Sequence, residues 1–246
     1  MTDALKSKMR VRAAARLAMV AALLTAVAAA EAPQAASSAA DLDKVLNQMD
    51  AVAASFKTAE ADFVWDQYTK VVNETDTQSG KVYFRRESKE TEMMADISQP
   101  TQKYVLYQKS TVRVYEPRID QVTLYNTGKN RAEVESFLVL GFGGRGHDLQ
   151  KSFEVSFEGY EQVSGVRAAK LNLVPKTAKG RNIFDHIILW IDPARGVSVQ
   201  QQFVEPQGDY RLAKYSDIKL NQNIPADVFK LKTTGRTKVI NPQGSF

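Results

Sequence analysis

The most conspicuous candidate for chemistry in this chain is a glycine-rich segment. Gly141 to Gly146 reads GFGGRG, which formally matches the G-x-G-x-x-G loop that holds a dinucleotide pyrophosphate. That assignment needs a strand before the loop, a helix after it and an acidic residue about 20 positions later. Here the preceding residues have helical spacing and the surrounding strands suit antiparallel pairing. We therefore predict a flexible hinge between two helical pieces, and no cofactor.

The other groups that could serve catalysis or metal binding are isolated. His147 and His186 are the only histidines, no third ligand lies at metal-site spacing, and the chain has no cysteine. Asp62 and Asp66 lie on the polar side of a predicted strand, where they solvate a surface. No G-x-S-x-G motif or Ser/His/Asp grouping is present. The sequence thus predicts no catalytic residue and no metal site, so we expect a protein that is not an enzyme.

An arginine pair is more informative. In GKVYFRRES, Val82, Phe84 and Arg86 alternate onto one face of a strand, while Tyr83 and Arg85 take the other. A guanidinium on an apolar face needs acceptors, because an unpaired buried charge is costly. Arg86 could therefore reach carbonyls at a helix end or a loop and latch a lid. The alternative is that the strand has ended by residue 86 and both arginines are exposed.

The N-terminus has the three parts of a secretory signal peptide. Five basic residues precede the apolar run LAMVAALLTAVAAA, and its last three alanines form an A-x-A cleavage site. At 1.5 Å per residue this run is too short to cross a bilayer core of about 30 Å. We predict a signal peptide over residues 1–30, the alternative being an uncleaved anchor. A flexible small-residue linker over residues 31–40 would follow.

Charge and cysteine content narrow the possible partners. The net charge of +5 belongs mostly to the leader, since removing residues 1–30 takes away five basic residues and Asp3 and leaves close to +1. A nucleic-acid partner therefore loses its main support. Without cysteine the fold has no disulfide framework, and no cysteine near the cleavage site can carry a lipid. We expect a soluble periplasmic monomer that is not lipid-anchored.

The periodicity of the chain predicts one α+β domain over residues 41–246. Apolar residues in DLDKVLNQMDAVAASFKT have helical spacing, with Asp41 at the expected N-cap. From residue 61 the period is two, with strands every 8–12 residues. A helix around residues 130–140 interrupts them once. About ten or eleven strands and two helices indicate a strongly curved antiparallel sheet whose apolar concave face lies under a helical lid.

The predicted concave face offers more apolar surface than two helices can fill, which suggests a cavity. The Pro-Ala-Arg-Gly turn at residues 193–196 joins two strands, and the alternation before it directs Trp190 to the outer side. The residues that we predict to line the cavity are Phe63, Trp65, Val82, Phe84, Met93, Val112, Val114, Val122, Leu124, Phe137, Leu138, Ile187, Leu189 and Ile191.

The order of these segments resembles LolA-like outer-membrane lipoprotein carrier proteins over about residues 41–240. The segments are SFKTAEADFVWDQYT, GKVYFRR, YVLYQKSTVRVYEPRIDQVTLY, ILWIDPARGVSVQQQFVEPQGD and YSDIKLNQNIPADVFKLK. The resemblance implies an unclosed β-barrel with helices as its lid. It implies a carrier whose cavity takes acyl chains of lipoproteins from an inner-membrane release complex and passes them to an outer-membrane acceptor. It also implies that Arg86 holds the lid closed through backbone carbonyls.

The sequence departs from the family after this arginine. RRESKETEMM lacks the proline and tryptophan that follow the corresponding arginine in the family. Because of this departure, the resemblance leaves two classes of cargo open, a triacylated lipoprotein and another envelope lipid. A non-catalytic envelope lipid sensor or regulatory binding protein of the same fold is the alternative function.

Overall fold

Strands dominate the structure, a computed structural model that describes residues 32–87, 90–126 and 140–242. Within these residues, twelve strands form one sheet in the order β12-β6-β5-β4-β3-β2-β1-β11-β10-β9-β8-β7. They are β1 Thr58–Thr69, β2 Glu74–Glu87, β3 Glu90–Gln99, β4 Lys103–Gln108, β5 Thr111–Glu116, β6 Gln121–Asn126, β7 Phe153–Val163, β8 Val166–Pro175, β9 His186–Asp192, β10 Val197–Val204, β11 Tyr210–Leu220 and β12 Lys238–Ile240.

Two antiparallel meanders build this sheet. Strands β1 to β6 pair consecutively, β7 to β11 do the same, and β1 pairs with β11 to join the two meanders. The short strand β12 is the exception, because it pairs with β6 in parallel. The described sheet is large, curved and not closed into a barrel, which confirms the predicted α+β class. The strand count of twelve exceeds the predicted ten or eleven.

Three α-helices and two short 3-10 helices accompany the described strands. The α-helices are α1 Ala32–Ser55, α2 Gly146–Ser152 and α3 Ala178–Ile183, and the 3-10 helices are Pro117–Ile119 and Ala226–Phe229. Helix α3 was not predicted; the hydroxyl of its N-cap Thr177 accepts a hydrogen bond from the Gly180 amide at 3.0 Å. The helix predicted around residues 130–140 falls mostly on residues outside the described part of the chain.

The start of α1 corrects the predicted linker and N-cap. The helix begins at Ala32, so Asp41 lies inside it and the predicted linker residues 32–40 are helical. The physical reason is composition, since alanine has the highest helix propensity and APQAASSAA is rich in it. Pro33 does not prevent this because proline is tolerated in the first turn of a helix.

The two faces of the sheet carry separate apolar clusters. We call the face that packs against α1 the inner face and the opposite face the outer face. On the outer face Trp190 packs with Ala168 and Val199, and its Nε1 donates to Glu161 Oε2 at 2.6 Å. Trp190 therefore lies on the outer side, as its position in the strand pattern predicts. A second outer cluster, around Phe229, packs the C-terminal segment onto the first meander.

Candidate functional site

A cavity of about 300 Å³ lies on the inner face of β1 to β4, β10 and β11. Its walls are mostly apolar, because the alternation of each strand directs every second side chain inward. Five of the predicted cavity residues line it, namely Phe63, Trp65, Val82, Phe84 and Met93. The remaining lining residues are Ala95, Ile97, Val105, Phe184, Gln201, Phe203, Arg211, Ala213 and Tyr215. Whether these side chains contact a cargo stays a prediction.

Val112 and Val114 lie beside this cavity without lining it. Val112 packs against the cluster that surrounds the cavity. Val114 pairs across the strands with Val105, which lines the cavity, so both side chains are on the inner face. Phe137 and Leu138, which we predicted as further wall residues, lie outside the described residues.

The predictions for Val122 and Leu124 are wrong. The pairing of β5 with β6 places Val122 opposite Tyr115 and Leu124 opposite Arg113. These partners alternate with the inward-facing valines of β5, so Val122 and Leu124 are on the outer face. Alternation in the sequence gives the period of a strand but not which phase faces inward. The turn between the strands, here the 3-10 helix Pro117–Ile119, sets that phase.

The predictions for Ile187, Leu189 and Ile191 also need correction. All three are on the inner face, yet each is fully buried (0% exposed) in the core beneath α1 instead of lining the cavity. Leu46 and Met49 of α1 belong to the same cluster. The physical reason is that the apolar stripe of α1 must be buried, and β8 and β9 are the strands that cover it.

Part of the glycine-rich segment is a packed plug instead of a free hinge. Phe142 is 1% exposed, stacks on Phe84 with ring centroids 4.9 Å apart, and meets Tyr215 edge-on at 4.8 Å. Gly141 has a φ of +75°, which glycine adopts readily, and its carbonyl accepts a hydrogen bond from the Ser198 amide at 2.9 Å. The segment thus inserts an aromatic ring beside the cavity.

Two polar side chains form the inner wall next to this plug. The Tyr215 hydroxyl donates to Gln201 Oε1 at 3.1 Å, and Gln201 Nε2 donates to the Leu140 carbonyl. Burial raises the pKa of Tyr215, so the hydroxyl stays protonated. We did not predict either residue as part of the site. For Gln201 the sequence did contain a signal, since Gln201 and Phe203 alternate toward the same face in SVQQQFV.

Arg86 joins three elements at the end of the cavity nearest the C-terminus of α1. Its Nη1 donates to the Ala53 carbonyl at 2.7 Å and its Nη2 to the Gly143 carbonyl at 2.5 Å. The guanidinium also lies 5.2 Å from the ring centroid of Phe56. Ala53 belongs to the last turn of α1, where carbonyls lack intrahelical partners and the helix dipole favours a cation. We call this arrangement the Arg86 latch.

The absence of a side chain at Gly143 allows the carbonyl that Arg86 binds to lie next to the ring of Phe56. Its φ is +76°, and a Cβ at this position would overlap the ring of Phe56. A side chain there would therefore displace either Phe56 or the carbonyl that Arg86 binds. Gly143 thus serves close backbone approach to an arginine and an aromatic ring, which explains a glycine at this position without a phosphate ligand.

His147 connects α1 with α2, so it is not isolated as we predicted, although its side chain remains partly exposed. Its Nδ1 lies 2.7 Å from Asp50 Oδ2, and its backbone amide donates to Asp50 Oδ1 at 3.2 Å. A longer contact of 3.4 Å joins its Nε2 to Asp43. The hydrogen bond with Asp50 raises the pKa of His147. Burial works to raise the pKa of Asp50, but the hydrogen bonds with His147 outweigh it and lower that pKa.

Comparison with known families agrees with this geometry. A family model described as "Outer membrane lipoprotein carrier protein LolA" matches residues 54–232. The chain belongs to the LolA family. Members of this family are non-catalytic envelope proteins that bind lipids or lipoproteins. Across the described residues of this LolA-family chain, no helix is both long enough and apolar enough to cross a membrane.

Solved structures resemble this LolA-family chain in fold. The crystal structure of MucB has 12% identity and a TM-score of 0.51, covering 78% of this chain and 63% of that one. The chain thus spans less than two thirds of the MucB chain. An uncharacterized conserved protein from Thermus thermophilus has 12% identity and a TM-score of 0.51, covering 81% and 98%. No curated protein matches the chain significantly. At such identities the similarity shows the fold alone.

Proposed function

We propose that this protein is a periplasmic carrier that binds acyl chains of lipoproteins, or of another envelope lipid, and delivers them toward the outer membrane. The observation that supports the proposal is an apolar cavity of about 300 Å³ beside a latched helix. Each methylene group of an acyl chain left in water costs about 0.8 kcal/mol, so passage through an aqueous compartment needs such a cavity.

The Arg86 latch suits a carrier that must also release its cargo. Arg86 is half-buried and bonds two backbone carbonyls, one on α1 and one on the glycine-rich segment. Hydrogen bonds to charged groups contribute about 1.5–3 kcal/mol each, an amount that cargo or an acceptor can offset. We infer that opening and closing of this latch couple the position of α1 to the content of the cavity.

The surroundings of the carrier follow from the same proposal. Residues 1–30 would be a cleavable signal peptide and residues 41–246 the lipid-binding domain of a soluble monomer. An inner-membrane release complex would supply the cargo, and an outer-membrane acceptor would receive it. No nucleic acid, metal or cofactor takes part.

Mass spectrometry of the protein purified without detergent from its own periplasm tests the proposal. We expect a co-purified lipid or acylated peptide, and an intact mass that places the N-terminus near Glu31. A preparation that contains no lipid or acylated peptide would contradict the carrier function. If an envelope protein without lipid co-purifies instead, the regulatory alternative gains the support.

A matched pair of substitutions locates the bound lipid. Ala213 lines the cavity and Leu212 precedes it on the outer face of β11. We expect Ala213→Trp to fill the cavity and abolish the co-purified lipid, whereas Leu212→Trp should retain it. Equal lipid content in the two variants would show that the lipid binds elsewhere. Circular dichroism of both variants checks that the sheet has formed.

A further inference from the structure

Arg211 is the one charged side chain among the described residues that line the cavity. It lies on the inner face of β11 because it alternates with Ala213 and Tyr215, which also line the cavity. Across the strands it pairs with Phe203 on one side and Gln67 on the other. A cation in a wall that is otherwise apolar or amide-bearing needs acceptors or water around it.

The neighbouring turn holds the Arg211 guanidinium in place. Its Nη2 donates to Glu205 Oε1 at 2.8 Å. Glu205 is fixed in turn, because its amide bonds the Asp209 carbonyl at 2.8 Å and its Oε2 accepts from Gln207 Nε2 at 2.6 Å. A guanidinium has five N–H donors, so this contact orients the arginine and leaves donors for a second acceptor. The Arg211 side chain is 41% exposed and accessible to such an acceptor.

The position of Arg211 marks the open end of the cavity. Along the inner face of β1 the exposure rises from Ala61 (1%) through Phe63 (6%) to the half-buried Trp65. Arg211 pairs with the next inward-facing residue of β1 beyond Trp65, so it lies farther along the same gradient. The opposite end, near Phe84, is closed. An acyl chain in the cavity would therefore place its tail at Phe84 and its polar group beside Arg211.

The size of the cavity limits how many chains it can take. An apolar cavity of about 150 Å³ accommodates a molecule the size of benzene. A cavity of about 300 Å³ therefore holds on the order of a dozen carbon atoms. This volume suits most of a single acyl chain and not the three chains of a triacylated lipoprotein.

We propose that the cavity selects amphiphiles with one acyl chain and an anionic head group, which Arg211 binds. The inference rests on the proposed function, because it presupposes that an acyl chain occupies the cavity. Carboxylates and phosphates share the required chemistry, since both accept paired hydrogen bonds from a guanidinium. A neutral head group on the same chain forgoes these charge-assisted bonds and binds more weakly.

Tryptophan fluorescence provides the readout. Trp65 lines the cavity and Trp190 lies on the outer face, and they are the only tryptophans of the chain. In a Trp190→Phe background, Trp65 alone therefore reports on the cavity. The probes share one acyl chain and differ in the head group: myristate, 1-myristoyl lysophosphatidate and the neutral 1-monomyristoylglycerol. We expect both anions to bind more tightly than the neutral lipid.

Substitution of Arg211 separates the head group from the chain. We expect Arg211→Gln to weaken binding of the anions about tenfold, which is the loss of one charge-assisted interaction, and to leave the neutral lipid unchanged. Arg211→Lys, which keeps the charge, should restore part of the affinity. Lys214→Gln is the matched control, because Lys214 is on the outer face of the same strand, 4.0 Å from Asp66. It should change no affinity.

The outcomes distinguish the two proposals. Anion affinity that is insensitive to Arg211→Gln, or equal affinity for the neutral and anionic lipids, would overturn the head-group inference and leave the carrier function intact. If none of the three lipids alters Trp65 fluorescence, the carrier function fails with it. A loss confined to lysophosphatidate would support the inference and identify the head group as a phosphate, and a loss confined to myristate would identify it as a carboxylate.

Discussion

The inner face of the sheet has a filled half and a hollow half. Over β8 and β9, α1 packs directly onto aliphatic side chains such as Leu189, which are fully buried. Over β1 to β4, β10 and β11, no described helix fills the space, and aromatic residues such as Phe63 and Phe203 surround a cavity. One sheet thus has a close-packed core and a cavity on the same surface.

The difference between the halves lies in the side chains as well as in the helix. Leucine and isoleucine of β8 and β9 interdigitate with the stripe of α1, as close packing requires. The hollow half instead combines large rings with small residues, among them Ala95 and Ala213. The alanine side chains are too small to fill the space between the rings. Close packing and the cavity therefore occupy different parts of one inner face.

Matched truncations of two isoleucines give the largest expected test of this comparison. Ile187 is fully buried in the filled half, whereas Ile97 lines the cavity in the hollow half. We expect Ile187→Ala to lower the free energy of unfolding by about 3–5 kcal/mol, because it leaves a new void in a close-packed core. Ile97→Ala should cost about 2 kcal/mol, since its side chain already borders empty space.

Urea denaturation of the two variants measures this difference. For lipid affinity we expect the reverse order, with the larger effect in the Ile97 variant. Ile97→Ala enlarges the cavity and should change lipid affinity, while Ile187→Ala should not. Equal losses of stability in the two variants would mean that the cavity is not a feature of the protein in solution.

The same comparison explains what the sequence could and could not predict. Period-two alternation placed Phe63, Trp65, Val82 and Phe84 on one face, and the structure brings them to one cavity. Arg86 followed from the same parity, and its hydrogen bonds to two carbonyls match the predicted latch geometry. Local pattern is sufficient for grouping residues within one strand, because alternate side chains of a strand lie on the same face.

The wrong predictions concern information that is not local. Ile187 and Leu189 have the pattern of cavity residues, but which strands α1 covers depends on tertiary packing and not on the strand itself. Val122 has the pattern of an inward residue, but its phase depends on the turn before β6. Alternation fixes neither the element that covers a strand nor its register.

Arg86 lies where the two halves meet, and its substitution tests their coupling. Arg86→Leu removes both bonds of the latch and should lower the free energy of unfolding by about 3 kcal/mol, because two carbonyls lose their partner and each bond to the half-buried guanidinium is at the low end of its range. We also expect it to trap cargo, since α1 is no longer coupled to release. Transfer of bound lipid from the loaded protein to acceptor vesicles measures this effect.

Arg85 provides the matched control for the latch. It is the neighbouring residue on the outer face, and its Nη2 pairs with Glu92 Oε2 at 2.5 Å. Arg85→Leu should also destabilise the fold, because it leaves the buried Glu92 carboxylate without this partner. It should leave transfer unchanged. If Arg86→Leu transfers lipid at the normal rate, the latch has no role in release and the two halves work independently.

His147 gives the smallest and most selective test, because it acts within the filled half alone. Its folded pKa is raised above the usual 6.5, so the stability that it adds is fully present below pH 6.5 and is lost as the pH rises through the folded pKa. The folded pKa of Asp50 is lowered, so the stability that it adds is present above pH 3.8 and is lost as the pH falls through the folded pKa.

The contact between α1 and α2 should therefore be strongest between about pH 4 and 6.5. Since the His147 side chain is partly exposed, we expect its loss to cost only about 0.5 kcal/mol. Urea denaturation of the wild type and His147→Gln at pH 5.5 and 8.5 measures the difference, which should shrink at the higher pH. Asp50→Asn should remove the same pH dependence, and the double variant should add nothing further. Additive losses would mean that the two residues stabilise α1 separately, and a pH-dependent change in lipid affinity would mean that the filled half is not independent of the cavity.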